Sequence, residues 1–221
     1  MIYPVHDLNV SILFKRDMFI INFKQLYNMD VLRIELVPET WILGIRLPRE
    51  ELLQYAEKGW ITKEDAEHLD RAFRRNAKGQ AIILKHQLMV CLNKARKVLN
   101  EKGIISREKP FQFEIIDDFG LPVGYIVVDK PPLKTRIHVV TETGEESTEY
   151  FEYLSSVHTI KFDVVVKEGV EDFVKTLAYA GKAIGLGPKG ARGFGRFRIQ
   201  VGVVEEEGEF DIEVRFKKRK K

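Results

Sequence analysis

Twelve residues near the end of the chain, Gly185-Leu186-Gly187-Pro188-Lys189-Gly190-Ala191-Arg192-Gly193-Phe194-Gly195-Arg196, carry the most distinctive chemistry in the sequence. Glycines at 185, 187, 190, 193 and 195 allow positive backbone φ and bring main chain close to a ligand without Cβ atoms in the way. Lys189, Arg192, Arg196 and nearby Arg198 add cations, and no acid interrupts them. Backbone N–H groups and cationic side chains presented together hold phosphates, as in nucleic-acid and nucleotide sites. Phe194 can stack on a base or anchor the loop.

Two phosphate-binding motifs are excluded by context. A dinucleotide fingerprint follows a strand and opens a helix, whereas this loop follows a helical pattern and enters a strand pattern. A nucleotide-hydrolysing phosphate loop needs a glycine before its lysine and a hydroxyl after it. Lys189 instead stands between Pro188 and Gly190. No cofactor is expected. The five histidines, His6, His68, His86, His138 and His158, are isolated, without a partner at metal-ligand spacing, so no metal site is expected.

A second basic feature lies upstream. Between Arg71 and Asn100 there are eight Lys or Arg and no Asp or Glu, although the whole chain has a net charge of only +3. Polyanions respond to the field within a Debye length, about 8 Å, rather than to net charge. Helices that are merely solvated usually mix signs for i,i+4 pairing. The tail Lys217-Lys218-Arg219-Lys220-Lys221 follows an acidic run and reads as solvated.

Composition bounds the rest. An apolar fraction of 44% in 221 residues supports a packed core. No apolar run approaches the roughly 20 residues of a membrane span. The first residues lack the pattern of a secretory signal, and a lone Cys91 forms no internal disulfide, so a reducing cytoplasm is the expected location. The charged fraction of 31%, rich in Lys and Glu, resembles thermophile composition.

The elements that must position the loop are readable by period. Leu8 to Phe14 and Met18 to Phe23 read as a short hairpin. Residues 31–47 alternate as a strand or a broken pair of strands, resuming after Pro38. Pro48 to Gly59 and Thr62 to about Asn76 read as helices, the second with Thr62 and Asp65 in capping-box spacing. Leu84 to Asn100 is a helix with one apolar face. Strands follow at 111–116 and 123–128, with turn residues between them, and at 134–140, 150–154 and 159–166. Gly169 to Ala183 is an amphipathic helix, and strands close the chain. Trp41 and Trp60 read as packing residues. The core order β-α-β-β-α-β implies an α+β, ferredoxin-like (RRM-like) domain spanning 1–221. A helical insertion at 48–80 and a β-hairpin insertion at 129–157 decorate it.

The segment Ala180 to Phe197, above all Ala191-Arg192-Gly193-Phe194-Gly195-Arg196, resembles the C-terminal glycine-rich loop of the RAMP (repeat-associated mysterious protein) superfamily of CRISPR-associated proteins. Upstream, Arg136-Ile137-His138-Val139, Thr143-Gly144, Phe151 and Thr159 to Val166 resemble the exposed hairpin and following core strand of RAMP backbone subunits. The resemblance covers roughly the last 90 residues. It implies an RNA-binding subunit, not an enzyme, that coats CRISPR RNA in antiviral defence as a homo-oligomer along the strand and assembles with other effector subunits. On that resemblance residues 140–157 form a thumb, and the helix carrying Lys85, Lys94, Arg96 and Lys97 borders the RNA. Gly187, Lys189, Arg192, Gly193, Phe194, Gly195 and Arg196 supply the loop contacts. Asp65 and Asp70 sit in an ordinary helical charge pattern and take no catalytic role. Two alternatives stand beside this reading. One is a metal-independent CRISPR RNA-processing endoribonuclease with His86 or His138 as general base. The other is a virus-borne relative acting in assembly without RNA.

Overall fold

The computed structural model describes residues 31–138, 146–188, 190 and 192–202 with their side chains. It describes the backbone alone at 13–15, 18–20, 139–140, 191, 203–205 and 208–212. Lys189, the hairpin tip with Thr143-Gly144, and the tail 217–221 lie outside the described residues, as do the remaining parts of the two N-terminal runs.

Strands β1 (Leu13–Lys15) and β2 (Met18–Ile20) pair antiparallel. In β3 (Val31–Pro38) the alternation sorts side chains cleanly: Leu32, Ile34 and Leu36 are buried while Arg33 and Glu35 face the other way. Of the two readings of this stretch, one strand or a broken pair, the structure has the broken pair. The N–H groups of Glu39 and Thr40 both donate to the carbonyl of Arg196, at 2.7 and 3.1 Å, and the chain turns out of the sheet. Strand β4 (Ile42–Leu43) then joins a different sheet.

Helix α1 (Arg49–Glu57) begins after Pro48, with Glu50 and Glu51 in its first turn. Helix α2 (Lys63–His68) starts with the capping box read from the sequence. The Thr62 hydroxyl accepts from the Asp65 N–H and the Asp65 carboxylate accepts from the Thr62 N–H, both at 3.0 Å. This helix stops at His68 rather than near Asn76. Leu69, Ala72 and Phe73 have helical spacing, but they are buried by an extended chain. That chain pairs Ala72 with Ile45 through two backbone bonds of 2.9 Å and forms β5 (Arg74–Arg75). Strand β6 (Ala81–Leu84) pairs with β5, and α3 (Lys85–Glu101) follows without a break. The Leu84 N–H at that junction donates to the Gln87 side chain at 2.9 Å.

After α3 come β7 (Phe113–Ile116), β8 (Pro122–Val123) and β9 (Tyr125–Val127). The stretch 123–128, read as one strand, is divided between two sheets: β8 pairs with β7, and β9 pairs with β6. Asp117 organises the turn before it by accepting the N–H groups of Phe119 and Leu121. Strands β10 (Leu133–Val140) and β11 (Glu146–Leu154) form a long antiparallel hairpin, docked through β11 onto β4. Strand β12 (Ile160–Val166), helix α4 (Val170–Tyr179), β13 (Phe197–Glu205) and β14 (Gly208–Ile212) complete the order.

The protein is therefore α+β with antiparallel sheets. Its largest sheet runs β14-β13-β3-β12-β7-β8, and α3 and α4 cover one face. Leu88, Cys91, Leu92 and Ala95 of α3 and Phe173, Val174 and Leu177 of α4 share one core with the inward residues of β3, β7, β12 and β13. A separate small core of Leu52, Tyr55, Ile61, Ala66, Leu69 and Ala72 holds α1 and α2 together.

Candidate nucleic-acid interface

Helix α4 widens into a π-helical turn at Ala180–Ile184 before the glycine loop begins. Such turns recur at functional sites because they displace the following chain from the helical path. The loop then folds back on itself. The Leu186 N–H donates to the Gly195 carbonyl at 2.8 Å, and the Gly195 N–H donates to the Trp41 carbonyl at 2.9 Å. Gly187 packs near the Leu43 carbonyl. Thr40 ties the loop to the β3–β4 turn twice. Its hydroxyl donates to the Gly193 carbonyl at 2.8 Å and accepts the Arg196 N–H at 2.9 Å.

The loop glycines serve two different ends. A Cβ on Gly195 would lie 2.1 Å from the Leu186 carbonyl oxygen, so this glycine, at φ 76°, lets the loop cross its own backbone. Gly193, at φ 86°, has no atom within 4 Å of where a Cβ would project and is exposed. Gly193 thus leaves its Cα bare toward the outside, although its N–H already donates to the Gly190 carbonyl at 3.0 Å, while Gly195 is spent on internal closure.

The cations divide as well. Arg192 is exposed on a short 3-10 turn (Gly190–Arg192), and no described carboxylate pairs with it. Arg198 is exposed on β13. Arg196 is half-buried under the loop, with Nη2 3.5 Å from the Gly190 carbonyl and Nη1 buried without a partner among the described residues. Lys94 and Arg196 both act on the Cys91 thiol, which places α3 and the loop side by side; burial nonetheless pushes that thiol up to about 12. Cys91 is therefore a protonated core residue, 3.2 Å from the Gly185 carbonyl to which its thiol is bonded.

Of the four cations expected along α3, two reach solvent. Lys94 and Lys97 are exposed. Arg96, by contrast, is buried, and its guanidinium donates to the carbonyls of Arg107 and Glu108. Lys85 is held by Glu114 at 2.6 Å and lies over the Phe113 ring. Upstream, Arg71 meets Glu149 at 3.9 Å, Arg74 meets Glu51 at 3.5 Å, and Arg75 is buried against Glu152. Four of the eight cations in the acid-free stretch are thus answered by acids distant in sequence.

The remaining residues singled out in the sequence have structural settings. Burial alone would raise the Asp65 carboxyl, but bonds from Lys134, from the Thr62 hydroxyl and N–H, and from the Tyr150 hydroxyl overcome this and hold it down at about 2. Asp70 accepts the Tyr150 N–H at 2.8 Å. His158 is buried between the Ser155 backbone and the Pro131 carbonyl, 3.1 Å from Nε2. Nδ1 of His138 lies 3.2 Å from the Thr148 hydroxyl, and His86 is exposed in the first turn of α3. Trp41 tilts onto Tyr153, with ring centroids 4.4 Å apart, and Trp60 packs beside Tyr55. Among the described residues no group of three His, Cys, Asp or Glu could hold a metal ion. The sequence reading missed the segment Glu39–Trp41, whose part in holding the loop follows only from the turn out of β3.

The fold belongs to a structural class already seen in solved proteins. It is similar to a chain of the cryo-EM structure of the Type III-B Cmr-beta bound to cognate target RNA, with a TM-score of 0.52 and 11% identity. The likeness covers 80% of this chain and 61% of that one, so this chain spans under two thirds of that chain's length. At this identity the similarity is one of fold alone. No family model matches the sequence, and no curated protein matches it.

Proposed function

We propose that this chain is a RAMP-type, RNA-binding subunit that coats CRISPR RNA in a multi-subunit effector complex. The observation that carries the reading is the loop, pinned by Thr40 with Arg192 exposed, packed on α3 at Cys91, the helix on which Lys94 and Lys97 are also exposed. Exposed cations without carboxylate partners suit a phosphate backbone.

The fold supports the same reading. The four strands β13-β3-β12-β7 stand in the order 4-1-3-2 of a ferredoxin-like core, with α3 and α4 as its two crossovers. On this reading residues 48–80 and 129–157 are the helical and hairpin insertions, the hairpin acting as a thumb. The likeness to a chain of an RNA-bound Cmr structure agrees with it. The sheet face opposite α3 and α4 offers little to stacking bases along its strands. Its outward strand positions Arg33, Glu35, Lys161, Asp163, Glu114, Arg198 and Gln200 carry no aromatic ring, and the rings nearest them, Phe119 and Tyr125, come from the turn and strand at its edge. RNA contact therefore falls to the loop edge and α3 rather than to an aromatic sheet platform of the RRM kind. Other effector subunits and further copies of the chain are the partners, in the cytoplasm and without a catalytic step.

Substituting Lys94, Lys97 and Arg192 together by Ala tests this. The triple variant should bind single-stranded RNA more weakly. The slope of log affinity against log salt should become shallower by about 2, since each phosphate contact on a single strand contributes roughly 0.7. A folded variant with unchanged affinity and slope would overturn the reading, and discrete cleavage of the RNA by the parent protein would point to a nuclease instead.

A further inference from the structure

A cleft of about 460 Å³ opens between the β3–β4 turn and the tip of the glycine loop, lined by Glu39, Thr40, Trp41, Arg192, Gly193 and Phe194. Its composition differs from the phosphate-facing surface around it. Two aromatic side chains, a stretch of bare main chain and a cation are joined there by a carboxylate. Glu39 is exposed, and neither it nor Arg192 has an ion-pair partner among the described residues. The frame is fixed by hydrogen bonds: the Arg196 carbonyl accepts from Glu39 and Thr40, and the Thr40 hydroxyl spans the Gly193 carbonyl and the Arg196 N–H.

The volume lies within the range of small-ligand sites, about 300–1,000 Å³, and suits one nucleotide rather than a duplex. A carboxylate facing an RNA strand repels phosphate and is compatible with binding only if it meets hydrogen-bond donors. Among the four RNA bases, guanine alone presents two adjacent donors, N1–H and the N2 amino group, matching both carboxylate oxygens. Adenine and cytosine set a single amino group beside a ring acceptor, and the N3–H of uracil is flanked by two carbonyls, so each turns a lone pair toward Glu39.

We infer that this cleft reads a single unpaired guanine in the bound strand. Glu39 accepts from the Watson–Crick edge, Phe194 and Trp41 flank the ring, and Arg192 meets the adjoining phosphate at the cleft mouth. The inference rests on the RNA-binding reading above and makes Glu39 a specificity-determining residue within it.

The test uses the full chain and uridine-rich RNA oligomers that differ at one internal position, carrying guanosine, inosine, adenosine or uridine, with binding followed by fluorescence anisotropy. Guanosine should bind roughly tenfold more tightly than adenosine or uridine, in line with the discrimination of a bidentate base contact. Inosine, which lacks the N2 amino group, should fall between them. Glu39→Gln and Glu39→Ala should each abolish the preference while leaving affinity for the all-uridine oligomer unchanged or slightly raised. Equal binding of all four oligomers by the parent protein, or a preference that survives both substitutions, overturns the guanine assignment and leaves RNA binding intact. Failure of every oligomer to bind overturns both.

Discussion

The segment 71–75, packed between the hairpin and α1, and the exposed surface where α3 meets the glycine loop are both rich in cations, and they use them in opposite ways. In that segment, Arg71, Arg74 and Arg75 are answered by Glu149, Glu51 and Glu152. Arg75 and Glu152 are almost wholly withdrawn from water, with side-chain exposures of 5% and 0%. At the loop, Arg192, Lys94 and Lys97 form no ion pair among the described residues. The same residue types therefore serve assembly of the fold in one place and remain available to a polyanion in the other. What separates them is acid supplied from another part of the chain.

The largest effect that should break this contrast is at Glu152. Its carboxylate also accepts the Phe73 N–H at 2.9 Å, so Glu152→Ala leaves a buried guanidinium and a buried donor unanswered. The loss should be about 3–5 kcal/mol in urea unfolding, with the double replacement Arg75→Met and Glu152→Leu much closer to the parent. Next in size is a pair of glycines. Gly195→Ala forces a Cβ into the Leu186 carbonyl at positive φ and should cost at least about 2 kcal/mol. Gly193→Ala, with open space around it, should cost only about 1 kcal/mol yet weaken RNA binding by fencing off the main chain. Calorimetric melting paired with RNA titration separates the two glycines.

Asp65 sharpens the electrostatic side of the comparison. Its folded carboxyl, held at about 2, lies below the roughly 3.9 of an unfolded aspartate, so the unfolded chain binds that proton more readily. The stabilisation is complete above about pH 5 and is lost as pH falls through 2, a contribution of about 2 kcal/mol. Urea midpoints measured from pH 6 down to pH 2 should show it, and Asp65→Asn should flatten that part of the profile. The last contrast concerns RNA. Lys94→Glu with Lys97→Glu should lower affinity roughly tenfold, whereas Arg74→Ala, which removes a cation already facing Glu51, should leave RNA affinity unchanged.

Much of this architecture could be read along the chain wherever neighbours in sequence are also neighbours in space. The α3 stripe Leu88, Cys91, Leu92 and Ala95, the alternation in β3 and β12, and the Thr62–Asp65 cap are all local patterns. The segment 69–76 misled because Leu69, Ala72 and Phe73 satisfy a helical period, while the partners that hold them extended, Ile45 and Glu152, lie far away in the chain. The same distance hid the compensation of the basic stretch. Absence of acid between Arg71 and Asn100 is a statement about sequence, and Glu51, Glu114, Glu149 and Glu152 supply the missing charge through the fold. Within the loop the glycines signalled unusual backbone correctly, but their pattern could not tell which of them admits a ligand and which admits the loop itself.

The double attachment of Thr40 has a thermodynamic corollary. With one hydroxyl clasping the returning limb of the loop at two points, the receptor shape exists before any strand arrives, so little chain entropy remains to be surrendered on association. Complex formation should therefore resemble docking onto a rigid mould more than coupled folding, with a modest heat-capacity change reflecting the surface covered rather than segments newly ordered.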